Sequence, residues 1–479
     1  MRRGSMIIGR KAECKDLEEV LQRQEAQLVA VYGRRRVGKT YLIREFFGNR
    51  FAFYHTGMHN CSMKEQLLAF RDSLIQYGCD VKGMLGSWRE AFLCLRQLIE
   101  ASSSTEKKVI FLDELPWMDT PRSNFLPSLE YFWNSWASSR KDMIMIVCGS
   151  ASSWIINKVL KNHGGLYNRV TERLSLRPFT LGECESYAKS TGLALTRSEI
   201  CSYYMAFGGI PFYWSLLRKD FSVPQNIDHL FFQENGKLRN EYGELFSSLF
   251  AEADGYRQIV AALSSAGRGL PREELMEKAA MKNGGKLNER LETLEECGFI
   301  RRYTSIGKSC KNALFQLIDN LVLFHFKFLN DRTLNDEHYW SNNYLSTKHN
   351  SWAGLAFEHI CLQHVQQIKQ ALQIGGVVSN TYSWYHKPDD VHPHGAQIDL
   401  LIDRADQVIN LCEIKYSRGK FMPDKAFIEE LNRKRQIFID VTKTKKAVHL
   451  TLITTEGLAD NAYAREIQSH LCLDDIFSV

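Results

Sequence analysis

The sequence predicts an α/β protein of several domains, and three stretches of the chain support this prediction. The short apolar run at residues 28–32 leads into residues 33–40, which have the spacing GxxxxGK[ST], and a helical pattern follows. A second apolar run ends in Asp113 and Glu114. Residues 351–479 alternate helical and extended patterns. Short buried strands alternating with helices are typical of a parallel sheet.

The composition restricts the class of protein. A chain of 479 residues is too long for one core, so about two to four domains are expected. The net charge of +6 is mildly basic, which permits nucleic-acid binding without arguing for it. Twelve cysteines without a C-x-x-C pair indicate reduced thiols. No apolar run has membrane-spanning length and no signal peptide is present, so we expect a cytoplasmic protein without a membrane partner.

The first motif has the chemistry of a phosphate-binding loop. Glycines at both ends let the loop bend until successive backbone N–H groups point at phosphate oxygens, and the following helix adds its positive end. A lysine can reach the β- and γ-phosphates, and a threonine hydroxyl can bind Mg²⁺. The predicted ATP and Mg²⁺ site therefore comprises the whole loop: Gly33, Arg34, Arg35, Arg36, Val37, Gly38, Lys39 and Thr40.

The second motif supplies the acids that nucleotide hydrolysis needs. Asp113 can hold Mg²⁺ directly or through water, and Glu114 can orient or deprotonate the attacking water. Ser150 follows a third buried strand, where it either senses the γ-phosphate or is a plain turn residue. Arg169, and with less support Arg173, can stabilise γ-phosphate charge, although surface arginines are equally common. We predict that residues 1–179 form this ATPase core.

Three further segments follow the core. Residues 180–250 predict a helical lid, interrupted by Gly-Gly-Ile-Pro at 208–211, which is either a hinge or a helix corner. Residues 251–330 predict three helices and a hairpin, the order of a winged helix. Its third helix contains several glutamates, so packing or protein contact is weighed at least equally with DNA binding. Residues 331–350 are polar and predict a linker.

The last segment, residues 351–479, contains a second group of acids. Glu413 and Lys415 are two apart and share one face of a strand, and Asp399 lies on the neighbouring strand. Glu358 on the first helix adds a carboxylate. This set suits metal-assisted phosphodiester hydrolysis, with Mg²⁺ on the acids and the lysine beside the nucleophile. A solvated hairpin, or the same fold with a binding-only site, are the alternatives.

With both groups identified, most of the chain resembles a family of prokaryotic P-loop ATPases close to the archaeal-type and STAND-like branch of AAA+. The resemblance rests on five stretches: Ile8-Gly9-Arg10, the arginine-rich loop 33–40, residues 111–114, residues 208–211 and residues 315–319. Members contain a C-terminal module of unassigned function that is similar to PD-(D/E)XK nucleases. Asp399, Glu413 and Lys415 match that nuclease pattern, and Glu358 matches its helical acid.

The resemblance implies a P-loop NTPase parallel sheet with a helical lid, a winged helix and a C-terminal restriction-endonuclease-like α/β domain. We expect Mg²⁺-dependent ATP binding and hydrolysis that acts as a switch for a nuclease-like, nucleic-acid-directed domain. The alternative is a non-catalytic ATP-binding signalling scaffold that holds a protein partner. ATP, DNA or RNA, and a protein partner or a second copy of the chain are the expected partners. A small-molecule kinase is disfavoured, because Glu114 beside Asp113 suits water activation.

Overall fold

The computed structural model describes residues 7–103, 106–149, 154–161, 164–166, 168–250, 252–266, 269–304, 306, 313–330 and 336–478. The chain divides into two compact units, Met1–Pro178 and Phe179–Val479, called here the first and the second unit.

A parallel sheet forms the centre of the first unit. Its strands are β1 (Gln27–Gly33), β2 (Phe53–Thr56), β3 (Lys108–Asp113), β4 (Met143–Gly149) and β5 (Glu172–Leu176). They pair in the order β2-β3-β4-β1-β5, and all four pairings are parallel. Every residue of β3 and β4 is buried, which explains why these strands are continuous apolar runs in the sequence.

Helices pack against this sheet. Ser62 begins one of them with a capping box and Ser87 begins the next with a side-chain cap, so the backbone N–H groups of Glu65 and Glu90 have local acceptors. Phe70, Trp88 and Phe125 are fully buried in the core. The helical segments of the first unit are Lys11–Gln22, Lys39–Phe46, Met63–Gln76, Trp88–Ala101, Leu115–Met118, Phe125–Ser135, Ala137–Ser139 and Ile155–Leu160.

The second unit begins with helices. The Gly-Gly-Ile-Pro segment forms a corner between two of them, where the Phe179 N–H donates to the Gly209 carbonyl at 2.7 Å. Pro211 occupies the first position of the short helix after the corner, where its missing N–H has no cost. The helical segments here are Leu181–Thr191, Arg197–Phe207, Pro211–Trp214, Val223–Ile227, Asp228–Phe232 and Glu241–Leu249.

Three helices and a small antiparallel sheet come next. The helices are Ala253–Ser264, Arg272–Lys278 and Gly285–Glu296; the strands are β6 (Leu270–Pro271), β7 (Ile300–Tyr303) and β8 (Leu314–Leu317), in the order β6-β8-β7. Leu287, Leu291 and Leu294 bury one face of the third helix, because they recur at helical spacing. The helix Asn320–Phe328 follows.

The described part of the predicted linker is folded. Trp340, in the helix Tyr339–Asn343, is buried, and its ring lies 4.9 to 5.3 Å from those of Phe324, Phe328 and Trp352. The Asp228 carboxylate also accepts the Trp340 N–H at 2.7 Å. This segment is therefore packed against the rest of the second unit, in contrast to the predicted linker, because burial of one large aromatic side chain stabilises it although the residues around it are polar.

The C-terminal part of the second unit contains a mixed sheet. Its strands are β9 (Ser379–His386), β10 (Ala396–Arg404), β11 (Val408–Lys415), β12 (Ala447–Thr454) and β13 (Ser469–Leu471). The order is β13-β12-β11-β10-β9, antiparallel from β9 to β11 and parallel from β11 to β13. Its main helices are Thr347–Gln363, Val365–Ala371 and Lys425–Thr442.

Across the described ranges, no helix combines the length and apolarity needed to cross a membrane.

Candidate functional site

The phosphate-loop sequence folds into a turn that two glycines make possible. Gly33 has φ 146°, and a Cβ atom there would lie 2.2 Å from the Leu176 carbonyl oxygen. Gly38 has φ 92° and begins the helix Lys39–Phe46. Both backbone angles favour glycine, so each of the two glycines of the motif meets a conformational requirement of this turn.

Lys39 places its ammonium group over the loop. The side chain is buried, and Nζ donates to the carbonyl oxygens of Gly33 at 2.8 Å and Arg34 at 3.1 Å. These contacts hold the charge at the concave side of the turn, next to the helix N-terminus. A buried cation and a helix N-terminus together favour a bound phosphate.

The two motifs meet at Thr40 and Asp113. Thr40 Oγ1 donates to Asp113 Oδ2 at 2.7 Å, although β4 separates the two strands that lead to these residues. Asp113 is only 3% exposed. Burial raises the pKa of its carboxyl, and the hydrogen bond from Thr40 opposes this shift. A hydroxyl and a carboxylate in contact are the pair that the phosphate-loop chemistry requires for Mg²⁺.

The backbone of Glu114 has an unusual conformation and a fixed hydrogen bond. Its φ of 48° is left-handed, and its N–H donates to Asp113 Oδ1 at 3.0 Å. A Cβ atom at Gly57 would lie 2.6 Å from the Glu114 carbonyl oxygen, so the neighbouring chain passes very close. A non-glycine residue in this conformation is strained, and such strain is frequent at functional positions.

Arg10 supports the loop from outside the motif. The side chain is 5% exposed; Nη2 donates to the Val37 carbonyl at 3.0 Å and Nη1 to the Arg177 carbonyl at 2.7 Å. Arg10 therefore joins the phosphate loop to the residue that follows β5. In the sequence, Arg10 is only part of the Ile8-Gly9-Arg10 pattern, and no local signal assigns it this role.

Three further residues of the first unit were predicted to act on the γ-phosphate: Arg169, Arg173 and Ser150. Arg169 is exposed in the segment before β5, and Arg173 is exposed on β5, an edge strand. Ser150 lies outside the described residues. The roles of all three residues stay predictions.

In the second unit, strand pairing brings Asp399 and Glu413 together. Leu400 pairs with Cys412 at the end of the β10–β11 register, so Asp399 and Glu413 are the adjacent residues just beyond the last pair, and both carboxylates act on the pKa of Glu358. Between Ile398 and Leu401 the pairing of β10 with β9 shifts by a bulge, and Asp399 lies within it. A bulge redirects side chains and is frequent beside functional sites.

Glu413 has two lysine partners. It is 7% exposed, and its carboxylate oxygens lie 2.8 Å from Lys415 Nζ and 2.9 Å from Lys434 Nζ. Lys434 belongs to the helix Lys425–Thr442 and was not identified from the sequence, because no local pattern links it to β11. Both oxygens of the predicted metal ligand Glu413 are therefore occupied by lysine ammonium groups.

Glu358 lies near both Asp399 and Glu413. Burial, together with the Asp399 and Glu413 carboxylates, raises the pKa of Glu358 to about 8, and Lys415 opposes this shift. Within the described ranges, no three His, Cys, Asp or Glu side chains are arranged to hold a metal ion. A Mg²⁺ ion usually needs only one or two protein carboxylates plus substrate phosphate, so Glu358 and Asp399 fit it without Glu413.

Strand β7 also contacts this region. Arg301 Nη2 donates to Ser383 Oγ at 2.9 Å, and Ser383 Oγ donates to the Asp399 carbonyl. Arg301 Nε donates to Gln316 Oε1 at 2.7 Å. Arg301 thus links the small sheet β6-β8-β7 to the bulge that contains Asp399. No local sequence pattern predicts this link, since 98 residues separate Arg301 from Asp399.

Comparison with known proteins agrees with the geometry of the first unit. Residues 7–216 match the family described as "ATPase domain predominantly from Archaea". An uncharacterized protein of Methanocaldococcus jannaschii is 23% identical over 438 residues, which is 90% of this chain and 92% of that protein. An uncharacterized ATP-binding protein of the same organism is 47% identical over 45 residues, 9% of this chain and 76% of that protein.

A Walker-type ATPase of Pyrococcus abyssi is similar in structure, with a TM-score of 0.47 and 18% identity; the match covers 67% of this chain and 96% of that chain. The family match, together with the contact between Thr40 and Asp113, supports ATP binding and hydrolysis by an archaeal-type ATPase domain in the N-terminal part of the chain.

Proposed function

We propose that the first unit binds ATP with Mg²⁺, hydrolyses it, and acts as a switch for a nucleic-acid-directed second unit. The observation that supports the first part most strongly is the 2.7 Å hydrogen bond between Thr40 and Asp113, beside the buried ammonium group of Lys39. These three groups come from two motifs 73 residues apart, and they meet where a triphosphate and its metal would bind.

Each group has a defined task in this proposal. The backbone N–H groups of residues 33–38 bind phosphate oxygens, and Lys39 neutralises charge on the β- and γ-phosphates. Thr40 and Asp113 hold Mg²⁺, which supplies further charge neutralisation when it is bound. Glu114 accepts a proton from the attacking water, and Arg169 stabilises charge on the γ-phosphate, from its own chain or from a neighbouring copy.

For the second unit, we propose a winged helix over residues 251–330 and a restriction-endonuclease-like domain over residues 351–479. The order of helices and strands supports the first assignment, and the positions of Asp399 and Glu413 next to the paired residues Leu400 and Cys412 support the second. Glu358 and Asp399 would hold Mg²⁺, and Lys415 would stabilise charge at the scissile phosphate.

A binding-only second unit is the alternative function. The observation that favours it is the pair of lysines, Lys415 and Lys434, on the two oxygens of Glu413. A carboxylate compensated by two lysines needs no metal ion to balance its charge. In that case the second unit would hold a partner in response to ATP without cutting nucleic acid.

The test is ATP turnover by purified Lys39→Ala protein, measured as phosphate release. Lys15→Ala is the matched control, because the Lys15 side chain is 75% exposed on the helix Lys11–Gln22. We expect Lys39→Ala to lose turnover by at least about 100-fold and Lys15→Ala to retain it. Wild-type turnover in the Lys39→Ala protein would overturn the assignment.

A further inference from the structure

The bulge in β10 lies opposite a single residue of β9. Ser383 is the one residue of β9 between the pair at Ile398, on one side of the bulge, and the pair at Leu401, on the other. It therefore faces two residues of β10, Asp399 and Leu400. A bulge of this kind leaves an extra residue outside the ladder of backbone hydrogen bonds. The Ser383 hydroxyl donates to the Asp399 carbonyl, so a side chain helps to hold Asp399 in the bulge.

Arg301 fixes the direction of that hydroxyl group. A serine hydroxyl has one proton and rotates about its C–O bond, so the direction in which it donates depends on its other contacts. Arg301 Nη2 donates to Ser383 Oγ at 2.9 Å, and a guanidinium group has no acceptor atom. The hydroxyl proton therefore points away from Arg301, and the Asp399 carbonyl accepts it. Ser383 is 7% exposed, so water competes little for either bond.

The side chain of Arg301 is anchored in the small sheet β6-β8-β7. Arg301 lies on β7, and its Nε donates to Gln316 Oε1 on β8 at 2.7 Å. Its guanidinium group also lies 4.4 Å from the centre of the Tyr303 ring, a distance at which a cation is attracted to the ring face. Two contacts within the small sheet thus hold the group that contacts Ser383.

Arg301 can affect a bound cation in two opposite ways. Its side chain lines the same cavity as Glu358 and Asp399. A positive charge there repels a metal ion held by the two acids, so a purely electrostatic role predicts tighter metal binding when Arg301 is removed. A role in holding Asp399 through Ser383 predicts weaker binding. The sign of the change in metal affinity therefore separates the two roles.

We propose that Arg301 is a positioning residue, which holds Asp399 through Ser383 in the position that binds a divalent cation. The inference rests on the proposed function of the second unit, in which Glu358 and Asp399 hold Mg²⁺. It adds to that function a residue from the proposed winged helix, outside the nuclease-like domain. Outer partners of this kind orient metal ligands and commonly change metal affinity by about 10- to 100-fold.

Binding of Mn²⁺ to the nucleotide-free chain measures the effect without relying on catalysis. Electron paramagnetic resonance gives the concentration of free Mn²⁺ during a titration. Asp399→Asn provides the blank, because it removes one carboxylate of the proposed site. The difference between wild type and this variant defines binding at the site, since any Mn²⁺ held by the first unit is common to both proteins.

Two variants each remove one step of the connection. We expect Arg301→Gln and Ser383→Ala each to weaken Mn²⁺ binding at this site about tenfold. The double variant should also bind about tenfold more weakly, because both residues act through one contact, whereas independent effects would multiply to about 100-fold. Arg302→Gln is the matched control, since it removes the same charge from the exposed next residue, whose side chain lies 3.5 Å from Glu295. It should not weaken Mn²⁺ binding.

The same titrations separate failure of the inference from failure of the proposed function. Unchanged or tighter Mn²⁺ binding by Arg301→Gln, with Asp399→Asn still different from wild type, would overturn the inference and leave the metal site standing. Identical binding by wild type and Asp399→Asn would overturn the proposed metal site, and the inference with it.

Urea unfolding shows whether the variants are folded. If Arg301→Gln is unfolded, Ser383→Ala provides the test, because it deletes one oxygen atom from a buried side chain and adds no group that must be accommodated. Wild-type Mn²⁺ affinity in a folded Ser383→Ala protein would contradict the proposal.

Discussion

Replacing Arg10 tests whether the phosphate loop depends on a support outside its own motif. Arg10→Ala removes two hydrogen bonds from a charged, buried donor to the carbonyls of Val37 and Arg177, and a longer one of 3.4 Å to the Glu13 carboxylate, which is left out of the following estimate. Hydrogen bonds to charged groups contribute about 1.5–3 kcal/mol each, so about 3–6 kcal/mol of local stabilisation is removed. Nucleotide binding must then provide the free energy that orders the loop.

We therefore expect Arg10→Ala to weaken ATP binding at least about tenfold, because even 1.4 kcal/mol of this cost corresponds to a factor of ten. Isothermal titration calorimetry with a non-hydrolysable ATP analogue measures the effect. Lys11→Ala is the control, since Lys11 is the exposed next residue. An unchanged affinity in Arg10→Ala, with Lys11→Ala also unchanged, would refute the supporting role of Arg10.

Two further predictions concern stability. Gly33→Ala should destabilise the first unit by about 2–5 kcal/mol, because its positive φ and a Cβ placed 2.2 Å from the Leu176 oxygen are both unfavourable. Gly38→Ala should destabilise it by only about 1–3 kcal/mol, because the φ there is also positive but the added Cβ meets no atom within 4 Å. Urea unfolding followed by tryptophan fluorescence compares them, and equal losses would contradict the steric argument. The second prediction concerns His364, whose pKa burial lowers to about 4, below the unfolded value of 6.5. Above pH 6.5 His364 is neutral in both the folded and the unfolded chain, and burial costs nothing in charge. As the pH falls from 6.5 towards 4, only the unfolded chain takes up a proton on His364, so the free energy of unfolding decreases by about 3 kcal/mol. Urea titrations at pH 7 and pH 4.5 measure the loss of the free energy of unfolding between these two pH values. This loss should be smaller in His364→Gln than in wild type or in the exposed control His470→Gln. An identical loss in all three proteins would refute the prediction.

The sequence predicted the elements of the first unit well for a physical reason. The phosphate loop, its strand and its helix are contiguous, so the residue types and their spacing already contain the local geometry. The acids at the end of β3 could be located for a similar reason, because a fully buried parallel strand is a largely continuous apolar run and the acids mark where that run stops. To predict that Thr40 and Asp113 lie close together, one only has to assume that the two strands before them end at the same edge of one sheet.

Other parts of the structure depend on contacts that no local pattern contains. Arg10 contacts Val37 across 27 residues, and Lys434 contacts Glu413 across 21 residues, from the helix Lys425–Thr442. Trp340 folds a segment whose composition predicted a linker. The strand β13 has only three residues, too few for a periodic pattern, and was not predicted.

The most direct test of the central claim is a paired measurement of ATP binding and ATP turnover in Glu114→Gln. Glutamine keeps the size of the side chain and cannot accept the proton of the attacking water, and a general base contributes about 10²–10⁴-fold to a rate. We expect the Glu114→Gln protein to bind ATP with wild-type affinity and to turn it over at least about 100-fold more slowly. Turnover at the wild-type rate, with ATP bound equally well, would contradict the assignment of Glu114 and the hydrolytic mechanism built on it.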